Sequence, residues 1–144
     1  MIIILIHWKI HRHAGARAEF LKYWHETLKI NNRSKLVGEY LSEPFTAEQG
    51  AQARIPCALF NAPSSAPYDS FFNVAVWEDE SAFYTEIMEP FVGKQPKSLP
   101  FEFEFRERMV LSPVSWRAGE FGLPKVDHFE DAAYQHGNKI ENAV

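Results

Sequence analysis

The stretch from Phe71 to Phe83, FFNVAVWEDESAF, does most to restrict the folds open to this chain. It reads as a buried strand running directly into a helix. Asn73 and Trp77 share a strand parity, so both point to one side of a sheet, about 13 Å apart at roughly 3.3 Å per residue. Asp79 and Ser81 are N-cap candidates, because their side-chain oxygens can accept the free amide hydrogens of a first helical turn. The helix then runs to about Met88 or Glu89, since Pro90 disfavours helical geometry in the residue before it. An amide and an indole on one wall, followed at once by a helix, make the candidate lining of a small pocket.

The rest of the chain supplies partners for that strand. Residues 2–11 form a first strand, apolar on both parities through Ile6, the mark of a strand covered on both faces. Beyond Ile6, Trp8 and Ile10 continue one face, while His7, Lys9 and His11 take the other. Ala14-Gly15 marks a turn. A helix over about 16–31 carries Phe20, Trp24 and Leu28 at four-residue spacing, with Asn31-Asn32 as its stop. A second strand is expected at 35–43, with Leu36, Gly38, Tyr40 and Ser42 on one parity and Val37, Glu39, Leu41 and Glu43 on the other. From 44 to 69 the prolines and the small residues read as a long loop insertion, with Cys57-Ala58-Leu59-Phe60 as a short strand within it. The helix after Trp77 has an apolar side in Phe83, Ile87 and Phe91, with Tyr84 and Met88. The last strand covers 101–112, with Phe101, Phe103 and Phe105 on one face and Glu102, Glu104, Arg106 and Arg108 on the other. Those charges pair with a symmetry mate or form a solvated face.

The order β-α-β-β-α-β predicts an α+β, ferredoxin-like fold with an antiparallel sheet and two helices on one side. A length of 144 residues fits one domain over 1–118, followed by a polar C-terminal extension over 119–144, expected to be partly mobile. Two helices cover only one side of a sheet rich in Ile, Val and Phe, so the other side predicts a homodimer. A net charge of −4 with dispersed Lys and Arg argues against a nucleic-acid partner. The apolar opening is too short to span a bilayer, and it lacks the leader and cleavage site of a signal peptide. Cys57 is the single cysteine, which fits a reducing compartment. The expected protein is soluble and cytoplasmic, with no membrane partner.

In the opening strand Ile2–Ile10, the helix segment Glu19-Phe20-Leu21 and above all Asn73–Phe83, the chain resembles the dimeric α+β barrel superfamily. Within it, the chain resembles the antibiotic-biosynthesis-monooxygenase-like domains. The resemblance covers about residues 2–30 and 70–112. The Asn-x-x-x-Trp spacing looks like that of cofactor-free members that oxygenate polycyclic phenols to quinones. By that resemblance no cofactor is needed, Asn73 hydrogen-bonds a phenolate or peroxide oxygen, and Trp77 stacks on a small aromatic or polyphenolic substrate. Haem-degrading members place a His on or just after the second helix. Here Ile87–Val92 contains none, so that carry-over fails and a haem reading rests on His7 or His25.

Each candidate residue has a plainer reading beside the functional one. His7, near the middle of the first strand, is a candidate general base or a hydrogen-bonded core histidine. Trp24 and Tyr84 are candidate substrate contacts or packing residues. His7 and His11 are too far apart to share an ion, and no further ligand completes a site with His11 and His13, so no metal is expected. Arg106 and Arg108 are candidates for an anionic substrate, with Glu102, Glu104 and Glu107 as nearer partners. Cys57 has no activating base close in sequence. No phosphate-binding glycine loop, nucleophile elbow or paired Cys-x-x-Cys is present. Two functions stand: a cofactor-independent monooxygenase-like enzyme, or a noncatalytic small-ligand-binding homodimer.

Overall fold

The structure, a computed structural model, describes residues 1–28, 30–53, 66–115 and 117. Four strands, β1 (Ile2–His11), β2 (Leu36–Ser42), β3 (Tyr68–Trp77) and β4 (Glu102–Leu111), form one sheet in the order β2-β3-β1-β4. Every neighbouring pair is antiparallel. Helix α1 (Ala16–Lys22) and helix α3 (Glu80–Phe83) connect the strands as a ferredoxin-like α+β fold requires. Both helices widen into a π-wound turn, at Tyr23–Thr27 after α1 and Tyr84–Met88 after α3. The first helix, expected to extend to 31, is therefore shorter than that reading, and its winding stops at Thr27. Leu28 N donates to Tyr23 O at 2.9 Å and the helix ends there.

Local chemistry sets these boundaries. Gly15 enters α1 at φ 93°, a left-handed conformation that strains any residue with a Cβ. Asp79 caps α3, its Oδ1 accepting from Ala82 N at 2.8 Å. A further helix, α2 (Ala47–Ala53), lies in the stretch read as loop. Thr46 and Gln49 form a reciprocal capping box there: Gln49 N donates to Thr46 Oγ1 at 3.2 Å, and Thr46 N donates to Gln49 Oε1 at 2.9 Å. The expected short strand at 57–60, Cys57 itself and the extension at 119–144 lie outside the described residues.

The core lies between the sheet and the two helices. Ile4, Ile6, Trp8 and Ile10 of β1 meet Phe71, Ala75 and Trp77 of β3, and Phe20 of α1 and Phe83 of α3 close over them. Phe20 is the hub, its ring within 4.9–5.6 Å of Phe71, Trp8 and Phe101. Strand parity carries the other set of side chains to the opposite face. There Ile3, Leu5, Phe72, Val74 and Val76 stay half-buried, with Met109 and Leu111 exposed beside them.

Two edge strands depart from simple alternation. A bulge at Val37 puts Leu36 opposite Trp77, on the same side as Glu39 and Leu41, and leaves Gly38 and Tyr40 on the other. In β4, register shifts opposite His7–Ile10 break the expected run of Phe101, Phe103 and Phe105. Phe101 enters the core, whereas Phe103 packs against His11 and Tyr68 on the far face. The predicted solvated or symmetry-paired charges are corrected as well. Glu102 and Arg106 are buried and pair with each other, Arg106 Nη1 donating to Glu102 Oε1 at 2.6 Å. The bulges turn both side chains under the helices.

Candidate functional site

Asn73 is wholly buried, in the middle of an otherwise apolar row that faces the helices. Such an amide must find partners, because leaving its groups unsatisfied costs about 1–3 kcal/mol. It has two. Its Oδ1 accepts from Trp24 Nε1 at 2.6 Å, and its Nδ2 donates to Glu39 Oε1 at 2.8 Å. The chemistry of the partners fixes the orientation, since an indole only donates and a carboxylate only accepts. The π-wound turn after α1 brings Trp24 over the strand, and β2 brings Glu39 to the same face. The result is a hydrogen-bonded string, Trp24–Asn73–Glu39, with half-buried ends and a buried centre.

Trp77 lies farther along the same row and is almost fully buried against the edge of Phe83. It forms one wall of an open cavity of about 270 Å³, whose other walls include Asn32, Lys35, Asp79, Ser81, Thr85 and Glu86. Lys35 Nζ donates to Glu78 Oε2 at 2.9 Å at this mouth and lies 4.0 Å from Asp79. Tyr84, another aromatic candidate, is about half exposed and does not line this cavity.

The sheet separates His7 from Asn73. Register pairs Ile6 with Asn73, so the next residue, His7, points to the opposite face. There its Nε2 lies 2.9 Å from Ser70 Oγ, its ring stacks on Phe72 at 4.6 Å, and its Nδ1 lies 3.9 Å from Glu107. Burial pushes the imidazole below its ordinary pKa and Lys9 adds to that shift, with Glu107 and Glu104 opposing it. Within one chain, then, the two residues read as catalytic are not brought together, whereas Asn73 and Trp24 touch. His11 and His13 sit side by side with ring centres 5.2 Å apart. Among the described residues no group of three or more His, Cys, Asp or Glu is placed to hold a metal ion.

Glu39 is the site residue that sequence reading passed over. Its signal was a carboxylate on the same parity as Val37 and Leu41, where an apolar residue would complete the face. Among the described residues Trp8 Nε1, Arg106 Nε and Arg108 Nε are also buried donors without a hydrogen-bond partner. No helix among the described residues is long and apolar enough to cross a membrane.

No protein-family model and no curated protein matches the chain. Among solved structures it is similar to MhuD, in a crystal structure of a mutant with two manganese protoporphyrin IX molecules bound per active site. The identity is 19%, over 81% of this chain and 99% of that one, with a TM-score of 0.47.

Proposed function

We propose that the protein is a cofactor-independent monooxygenase-like enzyme. It acts on a small aromatic or polyphenolic substrate held between the sheet and the helices, and it works as a homodimer joined through the open face. The Trp24–Asn73–Glu39 string carries this reading. A strand that needed only packing would place an apolar residue at position 73. An amide that aligns a carboxylate and an indole instead prepares a proton acceptor beside an aromatic surface.

In this scheme Trp24 and Trp77 offer ring faces to the substrate. Asn73 is a positioning residue: its oxygen is engaged by Trp24, and its N–H holds Glu39. Glu39 takes the hydroxyl proton of the phenol as the ring donates electrons to O₂. One oxygen atom becomes bonded to a ring carbon and finishes as the new quinone carbonyl. The other leaves as water, carrying the hydroxyl hydrogen and the hydrogen of the substituted ring carbon. Phenol and O₂ thus balance against quinone and water, with O₂ as the oxidant. His7, across the sheet, takes no part in this chemistry within a chain. Dimerisation is supported by the row of Ile3, Leu5, Phe72, Val74 and Val76, extended by the exposed Met109 and Leu111.

The test is oxygen uptake with 1-naphthol as probe, read together with quinone absorbance. The expected result is uptake and quinone in equal amounts, with Glu39→Gln slowing both by about a hundredfold while the fold is retained. Naphthol binding without oxygen consumption would make this a ligand-binding protein and not an enzyme. No binding and no uptake would remove both readings.

A further inference from the structure

The helix side of β4 holds more positive charge than its neighbours balance. Arg106 and Arg108 both face this side, because Ile6 pairs with Arg108 and Arg106 lies two residues before it. Arg106 is almost fully buried, its guanidinium 4.5 Å over the Trp8 ring and 5.0 Å over that of Phe105. One Glu102 oxygen accepts from Arg106, and the other accepts from Leu99 N at 2.6 Å. Both Glu102 oxygens are therefore engaged. Two guanidiniums against one carboxylate leave one positive charge unmatched, and among the described residues Arg108 has no ion pair. Burial, then Arg106, pushes the Arg108 guanidinium below its ordinary pKa.

Among the described residues three donors close to this charge have no acceptor: Trp8 Nε1, Arg106 Nε and Arg108 Nε. Trp8 is only 1% exposed, so water does not readily satisfy it. Donors without acceptors, an uncompensated charge and aromatic walls together describe a binding site for a flat anion. The Nε edge of a guanidinium suits a planar, two-oxygen group bound side-on.

Register also gives the distance to the site proposed above. Ile6 lies between Asn73 on one neighbouring strand and Arg108 on the other, with all three on one face. Two interstrand steps separate Asn73 from Arg108 by about 10 Å. That is on the order of the length of a fused two-ring acid with a hydroxyl at its far end. We propose that the helix side of the sheet binds aromatic hydroxy acids, the carboxylate at Arg108 with Arg106 and Trp8 donating, and the hydroxyl toward Glu39. This inference rests on the helix-side binding region proposed above and names its ligand class.

The experiment compares 6-hydroxy-2-naphthoate with its methyl ester by calorimetry under nitrogen, so that binding is read without turnover. The acid is expected to bind about tenfold tighter than the ester, and Arg108→Gln to abolish that preference. Arg108→Lys, which keeps the charge but not the planar edge, is expected to retain only part of it. It also serves as the test if the Gln variant does not fold. Equal binding of acid and ester, a preference that survives Arg108→Gln or is unchanged in Arg108→Lys, or displacement of the acid by equimolar inorganic phosphate overturns the proposal. A preference for the acid with no oxygen uptake from 1-naphthol keeps this inference and removes the oxygenase. Oxygen uptake without the preference does the reverse.

Discussion

The two faces of the sheet solve opposite problems. The helix-covered face buries polar groups, Asn73, Glu102 and Arg106, among large aromatic side chains. The open face leaves apolar groups uncovered, with His7, Lys9, Glu104 and Glu107 among them. Burying polarity is costly unless every group has a partner, and leaving oil exposed is costly unless something covers it. On the covered face the unanswered groups are hydrogen-bond donors, so what is missing there is an acceptor. On the open face they are hydrocarbon, so what is missing is a second apolar surface. One strand, β1, displays both demands at alternate residues.

The largest test of this contrast is at the hub of the covered face. Phe20→Ala is expected to cost about 3–5 kcal/mol in denaturant unfolding, because Trp8, Phe71 and Phe101 cannot close the cavity. Phe72→Ala, on the open face, should cost clearly less in dilute protein. Equal losses would mean that the two faces are equally packed. Next in size, Val74→Glu is expected to raise the dissociation constant of the proposed dimer at least about a hundredfold in sedimentation equilibrium, because an unpaired carboxylate would be buried there. An unchanged molecular weight would remove the open face as the contact.

The smallest effect is a pH dependence. His7 has a folded pKa lowered from 6.5, chiefly by burial, so the unfolded chain takes up the proton first. Its contribution to stability is complete above about pH 6.5 and declines as the pH falls toward the lower folded value. His7→Gln should flatten that part of the stability curve between pH 7 and pH 5. A curve that keeps its slope would assign the dependence to other groups.

Much of this contrast could be read in the chain before the structure. The alternation after Ile6 separates Trp8 and Ile10 from His7, Lys9 and His11, and Asn73 shares a parity with Trp77; both features hold. Asp79 announces its helix by chemistry that needs no tertiary contact. What could not be read depends on pairing. Whether His7 and Asn73 share a face is decided by register: it pairs Asn73 with Ile6, and no single strand contains that information. The bulges in β2 and β4 change face after a residue that looks ordinary in sequence, which hid Glu102 and Arg106 from a count of alternating charges. The Thr46–Gln49 capping box was legible, but the prolines around it argued more loudly for loop.

The π-wound turn after α1 has a consequence for how this chain can change length. Its i to i+5 hydrogen bond accommodates one residue more than an α-turn does, so the loss of a residue between Trp24 and Leu28 restores ordinary winding. The same loss within Ala16–Lys22 turns everything beyond it by about 100° and carries Trp24 away from Asn73. Two neighbouring turns of one helix therefore differ sharply in their tolerance of deletion: the wide turn is a slack link, and the regular turn before it sets the aim of the indole.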